Sequence, residues 1–137
     1  MEELDLIFAK DGAIQAMEQA KAQGMIRFMG ITGHTAPDVL IEAARRYPLD
    51  TALVAINPAD RLRLSFIEEF LPVAAGKGMG VIAMKVLAWG LLLRDPVRLT
   101  PAEAIGYALS QPLALFTVRL PSTTKLSSVC STLPAER

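Results

Sequence analysis

The sequence predicts an α/β fold with a parallel sheet, on three observations. Apolar stretches of strand length recur between helix signals, those stretches are continuously apolar rather than alternating, and no low-complexity linker divides the chain. Continuous apolarity marks strands buried on both faces, as in a parallel sheet covered by helices. Right-handed crossovers then connect them. At 137 residues the chain suits one domain, and could bury roughly two thirds of its unfolded surface.

Each element has its own signal. Residues 12–23 place Ile14, Met17 and Ala20 near helical spacing, with Gly24 where a helix end favours a left-handed residue. The apolar run over 25–32, stopped by Gly33, reads as a strand. Thr35 is placed to cap the next helix, with Pro37 in its first turn, where a missing N–H costs little. Val39, Leu40, Ala43, Ala44 and Tyr47 form the stripe of that helix, and Pro48 stops it. TALVAIN over 51–57 is a second strand, followed by the turn-forming Pro58, Ala59 and Asp60.

Ser65 and Glu68 fit a capping box before a helix whose inner side carries Phe66, Ile67, Phe70, Leu71 and Ala74. Pro72 either interrupts that helix or moves its start towards Leu71. Residues 78–84 give a third strand ending at Lys85. Thr100, Pro101 and Glu103 combine a cap, an N1 proline and a capping-box acid, with Ile105, Ala108 and Leu109 following at helical spacing. Residues 115–120 read as a fourth strand, and Leu126, Val129 and Leu133 suggest a last helix.

Composition excludes several classes. The chain is 52% hydrophobic and its 14 basic residues balance 14 acidic ones, which rules out disorder. The same balance argues against a nucleic-acid footprint or a polybasic membrane patch. No apolar run reaches about 18 residues, because Lys77, Lys85 and Arg94 break the longest stretches. One cysteine, Cys130, makes neither an internal disulfide nor a cysteine-rich metal cluster, so a cytoplasmic location is expected.

Two architectures fit this order: an open doubly wound sheet, or part of a (β/α)8 barrel, which when complete takes about 200 residues or more. In both, chemistry sits at the C-terminal ends of the strands. That edge carries Thr32, Gly33 and His34; Asn57 and Asp60; Lys85, Trp89 and Gly90; and Ser122, Thr123, Thr124 and Lys125.

His34 is either a general acid–base group or a loop histidine beside a helix start. Lys85 is a Schiff-base nucleophile if desolvated, and otherwise a snorkelling lysine or a cofactor contact. The glycines between 76 and 80 precede a strand, whereas a phosphate fingerprint follows one, so they turn the chain instead. Residues 122–125 suit either a phosphate cradle at a helix N-terminus or ordinary capping. Asp60, Arg61 and Arg63 read as a solvated loop. Trp89 reads as a packing residue or a flap over a flat ligand.

At these strand ends the sequence resembles the aldo/keto reductases. The resemblance lies in GAIQAMEQAKAQGMIRFMGITGH (12–34), LDTALVAINPAD (49–60), FLPVAAGKGMGVIAMKVLAWGLL (70–92) and LPSTTKLSSV (120–129), in the family's order and spacing. It implies that residues 1–137 are a single partial aldo/keto reductase domain, about four βα units from the fifth to the eighth strand of a (β/α)8 TIM barrel. It implies NADP(H) as cofactor, with NAD(H) left open, and carbonyl reduction or alcohol oxidation by hydride transfer. The family's catalytic Asp, Tyr, Lys and His belong to earlier strands and match nothing here.

The cofactor residues carry over in part. Thr32 stands where the family has the serine of a Ser-Asn pair holding the nicotinamide carboxamide, and Gly33 replaces the asparagine. Leu53 replaces a carboxamide-binding glutamine. Met84, Lys85, Leu87 and Gly90 match the segment along the pyrophosphate, with Lys85 in place of a common serine. Ser122, Thr123 and Thr124 match the loop facing the adenosine 2′-phosphate. Ser128, Ser131 and Thr132 replace the Arg or His and the Glu-Asn at the adenine end, and serine lacks the bidentate fork with which arginine holds phosphate. The lone cysteine rules out the iron–sulfur cluster of some relatives.

A half barrel leaves open strand edges, so self-association or a complementary half barrel is the expected partner alongside the nicotinamide cofactor. The leading reading is a cofactor-binding half that is inactive alone. A non-catalytic remnant or interaction domain is the second, and a Schiff-base lyase using Lys85 the third.

Overall fold

The structure, a computed structural model, describes residues 2–111 and 115–116. Its elements run α1 (Glu2–Ile7), α2 (Ala13–Ala22), β1 (Gly30–Gly33), α3 (Pro37–Arg46), β2 (Thr51–Ala55), α4 (Leu71–Gly76), β3 (Gly80–Met84), α5 (Pro101–Leu109) and β4 (Leu115–Phe116). Short 3₁₀ turns at Pro58–Leu62 and Ala88–Leu93, and a π turn at Phe66–Phe70, fill the connections.

The four described strands pair in chain order, β1-β2-β3-β4, and every pairing is parallel. A doubly wound sheet reverses its strand order at a switch point and carries helices on both faces. Here no reversal occurs. Leu40 and Ala44 of α3, Leu71 and Ala74 of α4, and Ala104, Ile105 and Ala108 of α5 share one core with Ala52, Val54, Val81 and Ala83. Those four sheet residues alternate along β2 and β3, so α3, α4 and α5 cover the same face. Chain order with α3, α4 and α5 on one face is consistent with an arc of a barrel.

The opposite face carries Thr32, Leu53 and Ile82 in one cross-strand row, with Met84 farther along β3. Thr32 is exposed and the other three are half-buried. β1 lies at the sheet's edge.

Local chemistry sets the element limits. Both Gly24 (φ 72°) and Gly78 (φ 66°) end helices in the left-handed region, which a side chain disfavours. Each makes the same paired closure: Gly24 and Met25 N–H donate to the Lys21 and Ala20 carbonyls, Gly78 and Met79 N–H to those of Ala75 and Ala74. The glycine-rich run over 76–80 therefore turns α4 into β3, as its position before a strand predicts.

β1 is shorter than the apolar run over 25–32 predicts, and Met25 and Phe28 are exposed. Gly30 pairs with Thr51, so an extension through Met29, Phe28 and Arg27 would face Asp50, Leu49 and Pro48 in turn, and proline has no N–H to give a ladder. The Asp50 carboxylate takes the Met29 N–H instead, at 2.8 Å.

Two further expectations meet corrections, and one element was not expected. Thr35 does not cap α3: the helix opens at Pro37 with Ala36 at the cap position and no side-chain bond. Proline at the start removes one of the donors that a cap would serve. Leu109 is 46% exposed rather than core. α1 carried no sequence signal that stood out, and it is tied to the fold by ion pairing of Asp5 with Arg46 at the end of α3.

Thr100 and Glu103 form the full capping box. Thr100 Oγ1 accepts from the Glu103 N–H at 3.2 Å, and Glu103 Oε2 accepts from the Thr100 N–H at 2.8 Å. Pro72 opens α4 as a first-turn residue, and the chain before it, Phe66–Phe70, winds as a π turn. Phe66 and Phe70 pack edge to face at 6.4 Å between centroids, each fully buried, worth about 0.5–1.5 kcal/mol beyond area burial. The remainder of the predicted fourth strand, and the helix expected around Leu126, Val129 and Leu133, lie outside the described residues.

Candidate functional site

The C-terminal ends of β1, β2 and β3 bring one group of predicted residues onto a common edge. Thr32 and Gly33 close β1, while Met84 closes β3 and leads into Lys85. β2 runs between them: Thr32 pairs with Leu53, and Leu53 with Ile82, two residues before Met84. Adjacent strands lie about 4.8 Å apart, so the ends of β1 and β3 are about 10 Å apart across the sheet.

The Thr32 hydroxyl donates to the Leu53 carbonyl at 3.1 Å. Its proton is committed to β2, which leaves its oxygen as an acceptor. Gly33 sits on the helix-covered side, where a Cβ would run into the Leu40 side chain of α3. Absence of a side chain at residue 33 lets α3 approach, and any contact by Gly33 with a ligand is made by its backbone.

Beyond Met84 the chain turns sharply. Lys85, Ala88 and Trp89 adopt φ of 55°, 44° and 61°, and Gly90 follows at 85°. Val86 and Leu87, 1% and 6% exposed, anchor this knuckle in the core. The Ala88 and Gly90 N–H groups close it by donating to the Lys85 and Leu87 carbonyls, at 2.7 and 2.8 Å. Non-glycine residues in that region each cost on the order of 1 kcal/mol or more, and such strain persists where surrounding packing enforces it. Leu87 gives its side chain to the core, so it meets the edge through its backbone. Trp89 is 79% exposed, and the Lys85 Nζ lies 5.3 Å from its ring centroid.

After β2, Asn57 and Asp60 organise the loop. Asn57, 8% exposed, accepts from the Ala59 N–H at 3.0 Å and caps the 3₁₀ turn that begins with Pro58. Asp60 is not the solvated residue the sequence suggests. Its Oδ2 accepts from Ser65 Oγ at 3.0 Å and from the Ile67 N–H at 3.1 Å. Burial is the main influence on this carboxyl and holds it above the usual aspartate range, against the downward pull of those bonds. Ser65 Oγ in turn accepts from the Glu68 N–H at 3.1 Å, half of the expected capping box. An asparagine directly before a proline was the available sequence signal for the cap; nothing local in sequence marked Asp60, whose partners lie five and seven residues on. Arg61 and Arg63 are exposed, as expected. His34 is exposed and lies just past β1.

Ser122, Thr123, Thr124 and Lys125 lie outside the described residues, as do Ser128, Cys130, Ser131 and Thr132. Among the described residues, no group of three or more His, Cys, Asp or Glu is placed to hold a metal ion, and no helix is long and apolar enough to cross a membrane. A separate depression lined by Phe28, Asp50, Thr51 and Lys77 opens at the N-terminal ends of the strands. Parallel α/β sheets work at the other end, so the site is assigned to the edge that carries Thr32 and Lys85.

The edge offers a hydroxyl acceptor at Thr32, an ammonium at Lys85, and open space around Gly90, where an added Cβ would meet nothing within 4 Å. Leu53 puts an apolar side chain between them in place of an amide.

Comparison with known proteins gives the same direction. The sequence model described as the Aldo/keto reductase family matches residues 7–130. The chain is also similar to a D-threo-aldose 1-dehydrogenase from Pseudomonas sp, 34% identical over 91 residues. That alignment covers 66% of this chain and 27% of the relative, so the chain spans a minor part of the relative's length.

Proposed function

The chain belongs to the aldo/keto reductase family, and we propose that it forms the cofactor-holding part of a nicotinamide-dependent oxidoreductase barrel. The observation that carries this reading is the shared edge of Thr32 and Lys85 at the C-terminal ends of β1 and β3. Bound there, a nicotinamide dinucleotide supplies the hydride that the family transfers to or from a carbonyl carbon.

On this reading Thr32 accepts a hydrogen bond from the nicotinamide carboxamide through its free lone pairs. The knuckle of Met84, Lys85, Leu87 and Gly90 runs beside the diphosphate. Gly33 contributes backbone only. Ser122, Thr123 and Thr124 are proposed to face the adenosine 2′-phosphate, which favours NADP(H) over NAD(H). The face bearing Thr32, Leu53, Ile82 and Met84 is the barrel interior, covered by a complementary half barrel or a second copy of the chain.

No residue of the chain matches the family's catalytic Asp, Tyr, Lys and His, so the proposed role is binding without turnover. Two measurements on the 137-residue chain test it. Calorimetric titration with NADPH and NADH is expected to show dinucleotide binding, tighter for NADPH. Aldehyde reduction, or oxidation of an aldose as in the relative's name, followed at the nicotinamide absorbance, is expected to show none. Absence of dinucleotide binding overturns the cofactor-holding role and favours an interaction domain; turnover overturns the claim of missing chemistry.

A further inference from the structure

β1 is an end strand of the described sheet, and among the described residues its outer edge is open. In a parallel ladder a residue turns its N–H and C=O to the same side. The Met29 carbonyl takes the Thr51 N–H at 3.3 Å, so Met29 and Ile31 face β2, and the alternate residues Gly30 and Thr32 face away from it. The N–H and C=O groups of Gly30 and Thr32 therefore line the edge. Open edges are commonly guarded by a lysine, a proline or a bulge. β1, with sequence GITG, carries no charge and no proline, and its register is unbroken.

The face beside that edge is apolar. Leu53, Ile82 and Met84 are half-buried on the side away from α3, α4 and α5. Alternation carried back from Thr32 puts Phe28 on this side too, and Phe28 is 65% exposed. It lines a depression with Thr51 at the foot of β2. The fitting occupant brings a strand and an apolar face together.

Direction and number choose that occupant. The described strands all run parallel in chain order. A two-fold axis along the strands sets β4 of one copy beside β1 of the other, still parallel, in two places at once. Two sets of four then give eight strands, the number whose closed interior side chains can fill. The 14 basic and 14 acidic residues leave no net charge to oppose self-association. We propose that two copies of the chain close on each other, β1 against β4, into one eight-stranded barrel. The inference rests on the reading of the chain as part of a barrel, and commits its open face to a second copy.

Sedimentation equilibrium of the full chain is expected to give twice the 14.8 kDa mass of one copy. Amide exchange followed by NMR then locates the contact. On dilution to the monomer, the Gly30 and Thr32 amides should exchange about tenfold faster or more, while the Ile31 amide, held by β2, keeps its protection. Thr32→Pro removes an outward N–H and, besides that, only the hydroxyl bond to Leu53, and should weaken the dimer about tenfold or more. Ile82→Glu leaves the edge intact, puts a charge on the inner face and should weaken the dimer as much. Circular dichroism establishes that each variant folds, and exchange in the natural chain decides the matter should either misfold.

A monomer at every concentration overturns the proposal and leaves the edge to a different chain. A dimer whose Gly30 and Thr32 amides exchange as fast as in the monomer overturns it too, because the copies then meet elsewhere. Masses that climb past the dimer show pairing without closure and also overturn it. A dimer with protected edge amides that binds neither NADPH nor NADH upholds the interface and overturns the cofactor-holding reading. A monomer that binds NADPH overturns the interface alone.

Discussion

Thr32 and Leu53 are joined across β1 and β2 by a hydrogen bond from the threonine hydroxyl to the leucine carbonyl, at 3.1 Å. The bond decides which way the hydroxyl can act. Having given its proton to the sheet, Thr32 offers a ligand only lone pairs, and so suits the N–H of a carboxamide rather than its oxygen. Thr32→Val removes that acceptor and keeps the shape. NADPH affinity is expected to fall about five- to tenfold, the scale of one hydrogen bond, while Thr32→Ser retains it. Equal affinities for the natural chain and the valine variant would show that residue 32 does not touch the carboxamide.

Gly33 and Leu40 share one space. A Cβ at residue 33 would overlap the Leu40 side chain, which is 4% exposed and cannot swing into solvent. Gly33→Ala is therefore expected to destabilise by about 1–3 kcal/mol, the usual range for overpacking. The double variant with Leu40→Ala should be more stable than the sum of the two single losses, because the added methyl fills part of the space the leucine leaves. Urea denaturation checks both; strict additivity would mean that the two side chains do not compete.

Asp60 makes the pH dependence of stability slope in a stated direction. Burial raises its folded value above the unfolded one, so the folded chain holds this proton more tightly. Its contribution is complete below the unfolded value and is lost as pH rises through the folded value. Asp60→Asn keeps an acceptor for Ser65 and Ile67 without a charge, and is expected to flatten this loss. Asp60→Ala loses the capping bonds and should cost about 1 kcal/mol at neutral pH. Thermal melts from about pH 3 to pH 7 separate the two variants. An unchanged slope in Asp60→Asn assigns the dependence elsewhere.

The sequence revealed most where a single residue type does a single local job. Gly24 and Gly78 announced two helix ends, and Thr100 with Glu103 announced the capping box of α5, because each device closes within a few residues. The parallel strands were legible from unbroken apolarity, and their order came from the pairing alone, since pattern does not distinguish a barrel arc from a doubly wound sheet. What stayed hidden depends on distant partners. Asp60 looked solvated until Ser65 and the Ile67 N–H proved to be its partners, and β1 looked longer until the Asp50 carboxylate proved to take the Met29 N–H. Gly33 looked like a missing ligand; in the fold it is the space that Leu40 fills.

The opposite acid response belongs to Asp50. Its Oδ2 accepts from the Met29 N–H at 2.8 Å and from Lys21 Nζ at 3.1 Å, joining the start of β2 to the residue before β1 and to α2. The Met29 bond is the largest influence and Lys21 the second, and together they hold the carboxyl below the usual aspartate range. A carboxylate lowered in the folded chain gives stability that is present above its unfolded value and lost as pH falls through the folded one. Asp50→Asn keeps an acceptor for Met29 and drops the ion pair, so part of the acid-side loss should disappear. Raising salt should weaken the Lys21 share in the natural chain and leave the asparagine variant unaffected, because that pair is exposed and screened. Melts in low and high salt at acid pH check this; a variant with the natural chain's full acid slope would place the responsible carboxylate elsewhere.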